Sequence, residues 1–344
     1  MRPKRTPPRH APPGHAPGAN QGSGARLTCA SKAVVVPRAT LGLIAVLGAC
    51  ELEEVTIVQV EPVVVAEIYA DAEPDGTNEV RAFLHRTVGI DTTGLSNLED
   101  SRITVRSEAG VSFPLTSAAL GDCVESFPSI TGEAGACFLS DDVYASEIRP
   151  GEVLEVDVAL PGGGRLQGAA RLPAPFALPG FPRLCRLPPN TLLPVRWTRS
   201  EGAWAYVNET SIRGLPDALR SEGIDVVEDP LYLLGLSISD VDTTIVFPSE
   251  FGLFNRFDLD QDVAVRLQRG LPQNAISEIT ITAVEGNYVN WARGGNFNPS
   301  GQVRVPSLRG DGTGVFGATF NQRFFVVSEQ DPSGDPSCPL SRDP

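Results

Sequence analysis

A chain of 344 residues has room for two domains of ordinary size, and with 41% hydrophobic and 20% charged residues it has a globular rather than a disordered composition. Its 28 basic and 42 acidic residues are unevenly placed: residues 1–49 hold seven basic side chains (Arg2, Lys4, Arg5, Arg9, Arg26, Lys32, Arg38) and no acidic one, which leaves 21 against 42 from Cys50 onward, a formal charge of −21. So acidic a body repels phosphate backbones, and nucleic acid is excluded as an expected partner.

Near the N-terminus, the apolar run Ala39-Thr-Leu-Gly-Leu-Ile-Ala-Val-Leu47 follows Arg38 and ends in Leu47-Gly48-Ala49-Cys50. A short apolar stretch behind a positive residue reads as a secretory signal, too short to span a bilayer. Leu47, Gly48, Ala49 and Cys50 resemble the bacterial lipobox. Small residues there admit the peptidase, and the Cys50 thiol carries the lipid, whose acyl chains each contribute roughly 0.8 kcal/mol of anchoring per buried methylene. Residues 1–31 do not resemble the start of such a signal, so translation is expected to begin near Val34–Val36. The acidic Glu51-Leu-Glu-Glu54 resembles the surface-export signals of some outer-membrane lipoproteins and reads equally as a solvated tether. The expected place is the cell envelope, lipid-anchored in the outer membrane on its periplasmic or surface face.

From Thr56 onward the pattern has the period of two that a half-buried strand requires. In Arg102-Ile-Thr-Val-Arg-Ser, Ile103 and Val105 take one face and the arginines the other. Leu154–Leu160 alternates in the same way. Further strands are expected at Val63–Tyr69, Val80–His85, Val111–Thr116 and Arg165–Arg171, separated by turn signals such as Pro74-Asp-Gly76 and Pro161-Gly-Gly-Gly164. The proline-rich Pro173–Pro182 reads as a stiff linker. Beyond it, strands are expected at Leu193–Trp197, Trp204–Asn208, Leu231–Leu236, Thr243–Phe247, Val263–Gln268, Ile276–Val284 and Gly314–Ser328, the last broken. One helix is expected at Pro216–Arg220, with Gly223 past its end.

The chain is therefore expected to be all-β, two β-sandwich domains of the immunoglobulin type after a cleaved lipoprotein signal peptide. The expected divisions are a leader over 1–49, a lipidated tether over 50–62, a sandwich over 63–172, a linker over 173–184 and a second β-rich domain over 185–340.

With Cys29 in the leader and Cys50 lipidated, four cysteines remain: Cys123, Cys137, Cys185 and Cys338. An even set in an exported protein reads as disulfides. Of three pairings, Cys123–Cys137 as a local staple and Cys185–Cys338 as a long bracket are favoured. Loop entropy gives them about 3 and about 5 kcal/mol as upper limits. No C-x-x-C pair is present, so these four are not expected to bind a metal, and no cofactor is expected.

The remaining motifs favour structural readings. Gly312-Thr-Gly-Val-Phe-Gly317 matches G-x-G-x-x-G, but strand-forming residues follow where a dinucleotide site needs a helix, so its glycines are expected to serve a bulge or tight bend. Asp258-Leu-Asp-Gln-Asp262 begins like a calcium loop, yet Val263 stands where glycine is needed, and a solvated strand entry is expected. Trp197 reads as a core anchor. His85 is the sole histidine after Cys50, which rules out two-histidine zinc sites and leaves a serine triad no other base. Paired Asp/Glu carboxylates stay available to a carbohydrate-active enzyme or carbohydrate-binding protein, though no spacing singles out a pair. A structural or adhesive module is a third class.

Tyr288-Val-Asn-Trp291, Asn296-Phe-Asn-Pro-Ser300 and Gly310–Ala318 resemble the closing region of an uncharacterised lipoprotein family of Bacteroidota, domain-of-unknown-function family 4249. The specific stretch is Gly312-x-Gly314-x-Phe316-Gly317-Ala318. The family also opens on a lipidated cysteine with an acidic tether, as Cys50–Glu54 does, and carries a Pro-Gly before a strand, as Pro150-Gly151 does. The resemblance implies an outer-membrane lipoprotein without established activity, often encoded beside TonB-dependent receptors. It implies no catalytic residues. The expected function is a non-enzymatic binding or accessory module, held to the membrane by its lipid next to an outer-membrane receptor or transporter.

Overall fold

The computed structural model describes residues 62–87, 97–123, 135–237, 239–252, 259–293, 305–329 and 337–340. The lipobox Leu47-Gly48-Ala49, Cys50 and the Asn296–Ser300 stretch lie outside them.

The chain is mostly strand. In order it runs β1 (Val64–Ala72), β2 (Glu79–Arg86), β3 (Arg102–Ser107), β4 (Ser112–Pro114), β5 (Thr116–Ala118), α1 (Leu120–Cys123), β6 (Gly135–Leu139), α2 (Asp142–Ala145), β7 (Val153–Ala159) and β8 (Arg165–Arg171). It continues β9 (Leu184–Leu187), β10 (Leu193–Arg196), β11 (Ala205–Arg213), α3 (Leu215–Arg220), β12 (Leu231–Ser237), β13 (Thr244–Phe247), α4 (Gln261–Leu267), β14 (Ile276–Val284), α5 (Gly286–Arg293), β15 (Arg309–Gly310) and β16 (Thr313–Ser328).

Three sheets form. The large one has the order β12-β11-β14-β16-β1-β2-β6-β5, with β9 also on β16; a second runs β15-β8-β7-β3-β4; a third pairs β10 with β13. Period two decides which side of each strand is buried. Ile103, Val105, Leu154, Val156, Val158 and Leu166 of the second sheet share one core with Ile68, Ala82, Leu84 and Phe138 of the large sheet. The expected single strand at Val111–Thr116 is instead a corner. β4 pairs with β3 in the second sheet and β5 with β6 in the large one, with Leu115 buried at the turn.

Strands from both sides of the proline-rich stretch lie together in the large sheet, because β16 joins them. Its residues 313–320 pair in parallel with β1, residues 319–327 pair antiparallel with β14, and residues 325–328 pair in parallel with β9. The strand is continuous where a break was expected. Residues 173–184 are not a free spacer. Phe176 is buried with its ring 5.9 Å from Tyr206 and 5.7 Å from Phe320, and Phe181 lies 4.9 Å from Phe324. Ala174 N–H donates to the Glu201 carbonyl and Thr198 N–H to the Ala177 carbonyl, both at 2.9 Å.

The strand expected at Val263–Gln268 is the helix α4. Asp260 caps it, its Oδ1 accepting the Asp262 N–H at 2.7 Å. Val263, Ala264 and Leu267 fall on one helical face and are buried, a spacing that period two cannot satisfy.

The parallel contact of β16 with β1 depends on a residue without a side chain. Gly314 sits at φ 147°, and a Cβ there would stand 1.9 Å from the Ala66 carbonyl oxygen. Gly110, at φ 92°, has open space around it. Gly314→Ala is therefore expected to destabilise the fold by more than about 3 kcal/mol, against about 1 kcal/mol for Gly110→Ala, in urea unfolding followed by circular dichroism. Equal costs would show that the close approach does not matter.

Candidate functional site

The second half of the chain holds a cleft of about 490 Å³ among the turn after β9, the end of α3 and the helix α4. Its floor is Arg266, a charged residue three positions after Val263 on the buried side of α4, and it is 6% exposed. Burial of a guanidinium requires partners for its donors. Nε donates to Glu222 Oε2 at 2.7 Å, Nη2 to Asn190 Oδ1 at 2.6 Å and Nη1 to the Gly270 carbonyl at 3.2 Å. These bonds use three of the five N–H groups.

Local backbone brings those partners together. Asn190 adopts φ 58°, a left-handed conformation that asparagine tolerates better than most residues, and its N–H donates to the Leu271 carbonyl at 2.8 Å. Pro188, Pro189 and Pro272 stiffen two of the walls, and Ser221 and Gln273 add a hydroxyl and an amide. Arg266 is balanced by Glu222, so the lining is polar and close to neutral. Such a lining suits a ligand with hydroxyl or carbonyl oxygens rather than a strong anion.

A second polar assembly lies on the face of the large sheet away from the main core. Thr319 Oγ1 donates to Asp71 Oδ1 at 2.5 Å, Arg81 Nη2 stands 3.5 Å from Asp71 Oδ2, and Thr282 Oγ1 donates to Asn321 Oδ1 at 2.7 Å. Arg323 reaches Glu73 at 3.1 Å and Glu278 at 3.2 Å. α5 covers the neighbouring part of this face, where Trp291 packs on Val65 and Val315, and the Tyr69 and Tyr288 rings meet edge to face at 5.5 Å. Burial, with the Glu209 and Asp71 carboxylates nearby, pushes the Tyr288 phenol well above its ordinary range. Glu285 caps α5, accepting the Asn287 and Tyr288 N–H groups at 2.7 and 2.8 Å. Its carboxyl is nonetheless pushed up, because burial outweighs those bonds. These groups hold β1, β14, β16 and α5 together, and their bonds go to one another rather than to a shared open position.

The four cysteines of the body pair as Cys123–Cys137 and Cys185–Cys338, with Cα atoms 5.6 and 4.8 Å apart. The second bridge ties β9 to the last described segment, where Cys338 N–H also donates to the Arg186 carbonyl at 2.9 Å. Gly312, Gly314, Phe316 and Gly317 lie at the entrance to β16. Gly312 lies in a bend just before β16, as expected, and the glycines also permit close strand packing: a Cβ on Gly312 would stand 2.6 Å from the Val64 carbonyl, and one on Gly317 3.2 Å from the Tyr69 ring. Phe316 is fully buried. Trp197 is buried edge to face with Tyr206 at 5.3 Å. His85 is half-buried on β2, with Nε2 4.0 Å from Glu67 Oε1. None of these residues lines the Arg266 cleft. Among the described residues, no group of three or more His, Cys, Asp or Glu side chains gathers as metal ligands.

The sequence reading missed Arg266, Glu222 and Asn190. They lie far apart in the chain, and the one available signal, an arginine on the apolar stripe of α4, depends on reading 261–267 as a helix. Arg266→Ala would leave Glu222 and Asn190 without their donor and is expected to cost about 2 kcal/mol, while the exposed Arg269→Ala stays within about 0.5 kcal/mol in urea unfolding. Equal effects would remove Arg266 as the element that organises the cleft.

No protein-family model matches the chain, and no curated protein matches it.

Proposed function

We propose that this protein is a lipid-anchored, non-enzymatic binding or accessory module of the bacterial outer membrane, working beside a receptor or transporter of the TonB-dependent kind. The observation that carries this reading is Leu47-Gly48-Ala49-Cys50 directly behind an apolar run and Arg38. Two disulfides suit an oxidising compartment. The resemblance of Gly312–Ala318, together with Cys50–Glu54, to the lipoproteins of domain-of-unknown-function family 4249 points the same way.

In this reading β1–β8 form an immunoglobulin-like sandwich and the strands after residue 184 a second β-rich unit carrying the Arg266 cleft, with β16 common to both. The cleft is the ligand position, and its neutral polar lining selects a hydroxyl- or carbonyl-bearing molecule.

Cys50→Ser tests the anchor. In cells of the source bacterium, the parent is expected in the membrane fraction with labelled fatty acid incorporated, and the variant without label and in the soluble fraction. A variant that stays membrane-bound and labelled like the parent would overturn the reading.

A further inference from the structure

We infer that the outer face of the five-stranded sheet is a docking surface for anionic lipid headgroups, which lays the anchored body flat on its own membrane. The inference rests on the lipid-anchor reading for its orientation but on the sheet for its chemistry.

Core-facing residues of this sheet are apolar apart from Ser107, and the alternate positions face outward. Those positions include Arg102 and Arg106 on β3, Arg165 and Arg171 on β8 and Arg309 on β15, all exposed. Cross-strand register sets them on one side: Arg102 pairs with Ala159, Arg106 with Glu155, Arg165 with Ala159, Arg171 with Val153 and Arg309 with Gln167. The outward carboxylates of the strands are two, Glu155 and Asp157. Asp157 is already committed, accepting from Arg165 Nε at 2.7 Å and from Gln167 Nε2 at 2.8 Å, and Arg165 holds its carboxyl below the usual range. At the rims, Asp311 and Glu108 turn to the backbone N–H groups of Arg165 and Val153 at 2.9 and 3.4 Å.

Five arginines against four carboxylates, two of them at the rims, still reverses the balance of the chain from Cys50 onward, where acids outnumber arginines two to one. Of the remaining outward positions, Ala159, Ala169, Thr104 and Ser112 are short and Val153 and Gln167 longer. Arg171 Nη1 donates to the Gly151 carbonyl at 2.8 Å and Arg165 is held by Asp157, so Arg102, Arg106 and Arg309 are the groups best placed to reach a plane. Phosphate headgroups accept from guanidinium in pairs of parallel hydrogen bonds. The acidic remainder does not forbid the contact. At physiological ionic strength charges farther than about 8 Å are largely screened, so a surface touching this face responds to the arginines beneath it.

β1, which follows the tether, begins on the core side of this sheet, where Val64 and Leu166 belong to the main core. β1 begins at Val64, whose carbonyl lies under Gly312, between β15 and β16 and beside Leu166 of β8. Residues 50–62 span at most about 45 Å when extended, so a lipid on Cys50 keeps the sheet within reach of the headgroups.

The test uses the full chain with Cys50→Ser, so that binding is read without the lipid and independently of the anchor reading. Flotation with vesicles of 30% phosphatidylglycerol in phosphatidylcholine compares the parent with Arg102→Gln/Arg106→Gln/Arg171→Gln/Arg309→Gln. A control of equal charge change carries Arg183→Gln/Arg196→Gln/Arg213→Gln/Arg220→Gln at exposed positions elsewhere. Both retain Arg165, which holds Asp157. At about 1 kcal/mol per arginine near an anionic surface, the face variant is expected to lose at least tenfold in partitioning and the control less than threefold. Parent binding is expected to vanish on pure phosphatidylcholine and in 0.5 M salt. Equal losses in the two variants, no loss in either, or parent binding that persists on phosphatidylcholine would each overturn the proposal.

Discussion

One strand holds this molecule together. β16 gives its first half to a parallel pairing with β1 and its second half to β14 and β9, so the N-terminal and C-terminal strands become one sheet. Its even positions face the main core. Phe316, Phe320 and Phe324 are each at most 1% exposed there, and burying a phenylalanine contributes about 1.5–3 kcal/mol. The odd positions Val315, Gly317, Thr319 and Asn321 are buried too, under α5 and in the polar assembly with Asp71 and Thr282. A strand buried on both faces over 314–321 and paired along both edges at 319–320 and 325–327 cannot be removed without opening the layers around it.

The constraint explains local choices that otherwise look unrelated. Glycine at 314 lets β1 approach, since any side chain would meet the Ala66 carbonyl. Phe176 and Phe181 turn the proline-rich stretch into a plug against Phe320 and Phe324. The Cys185–Cys338 bridge fixes β9 beside the end of β16, closing a loop of 153 residues whose entropy in the unfolded chain is the largest single term that a crosslink could remove here. The two surfaces for which we propose functions sit on different elements of this frame. The Arg266 cleft belongs to α3, α4 and the turn after β9, and the arginine face to the five-stranded sheet, so neither proposed role requires the other's residues.

Much of the strand content is legible in the residues. Alternation at 102–107, 153–159 and 165–171 marks the second sheet, and Ile276–Val284 is a strand to its stated limits. Cysteine spacing points to the two pairs that the structure contains. Other features are not legible for identifiable reasons. β6 and β9 are four or five residues long, too short for periodicity to rise above chance. Val263-Ala-Val265 alternates like a strand, and only the Asp260 cap and Leu267 one turn on reveal a helix. Proline density at 173–182 signals a linker when its aromatic residues are ignored. The cleft depends on contacts between residues up to 76 positions apart, and one sequence without tertiary contacts cannot register them.

The central claim is that β16 makes a single cooperative body of strands from both ends of the chain, and differential scanning calorimetry of the disulfide-intact protein tests it most directly. One transition whose van't Hoff and calorimetric enthalpies agree is the result predicted. Two separated transitions, one for the strands before residue 172 and one for those after 184, would contradict it.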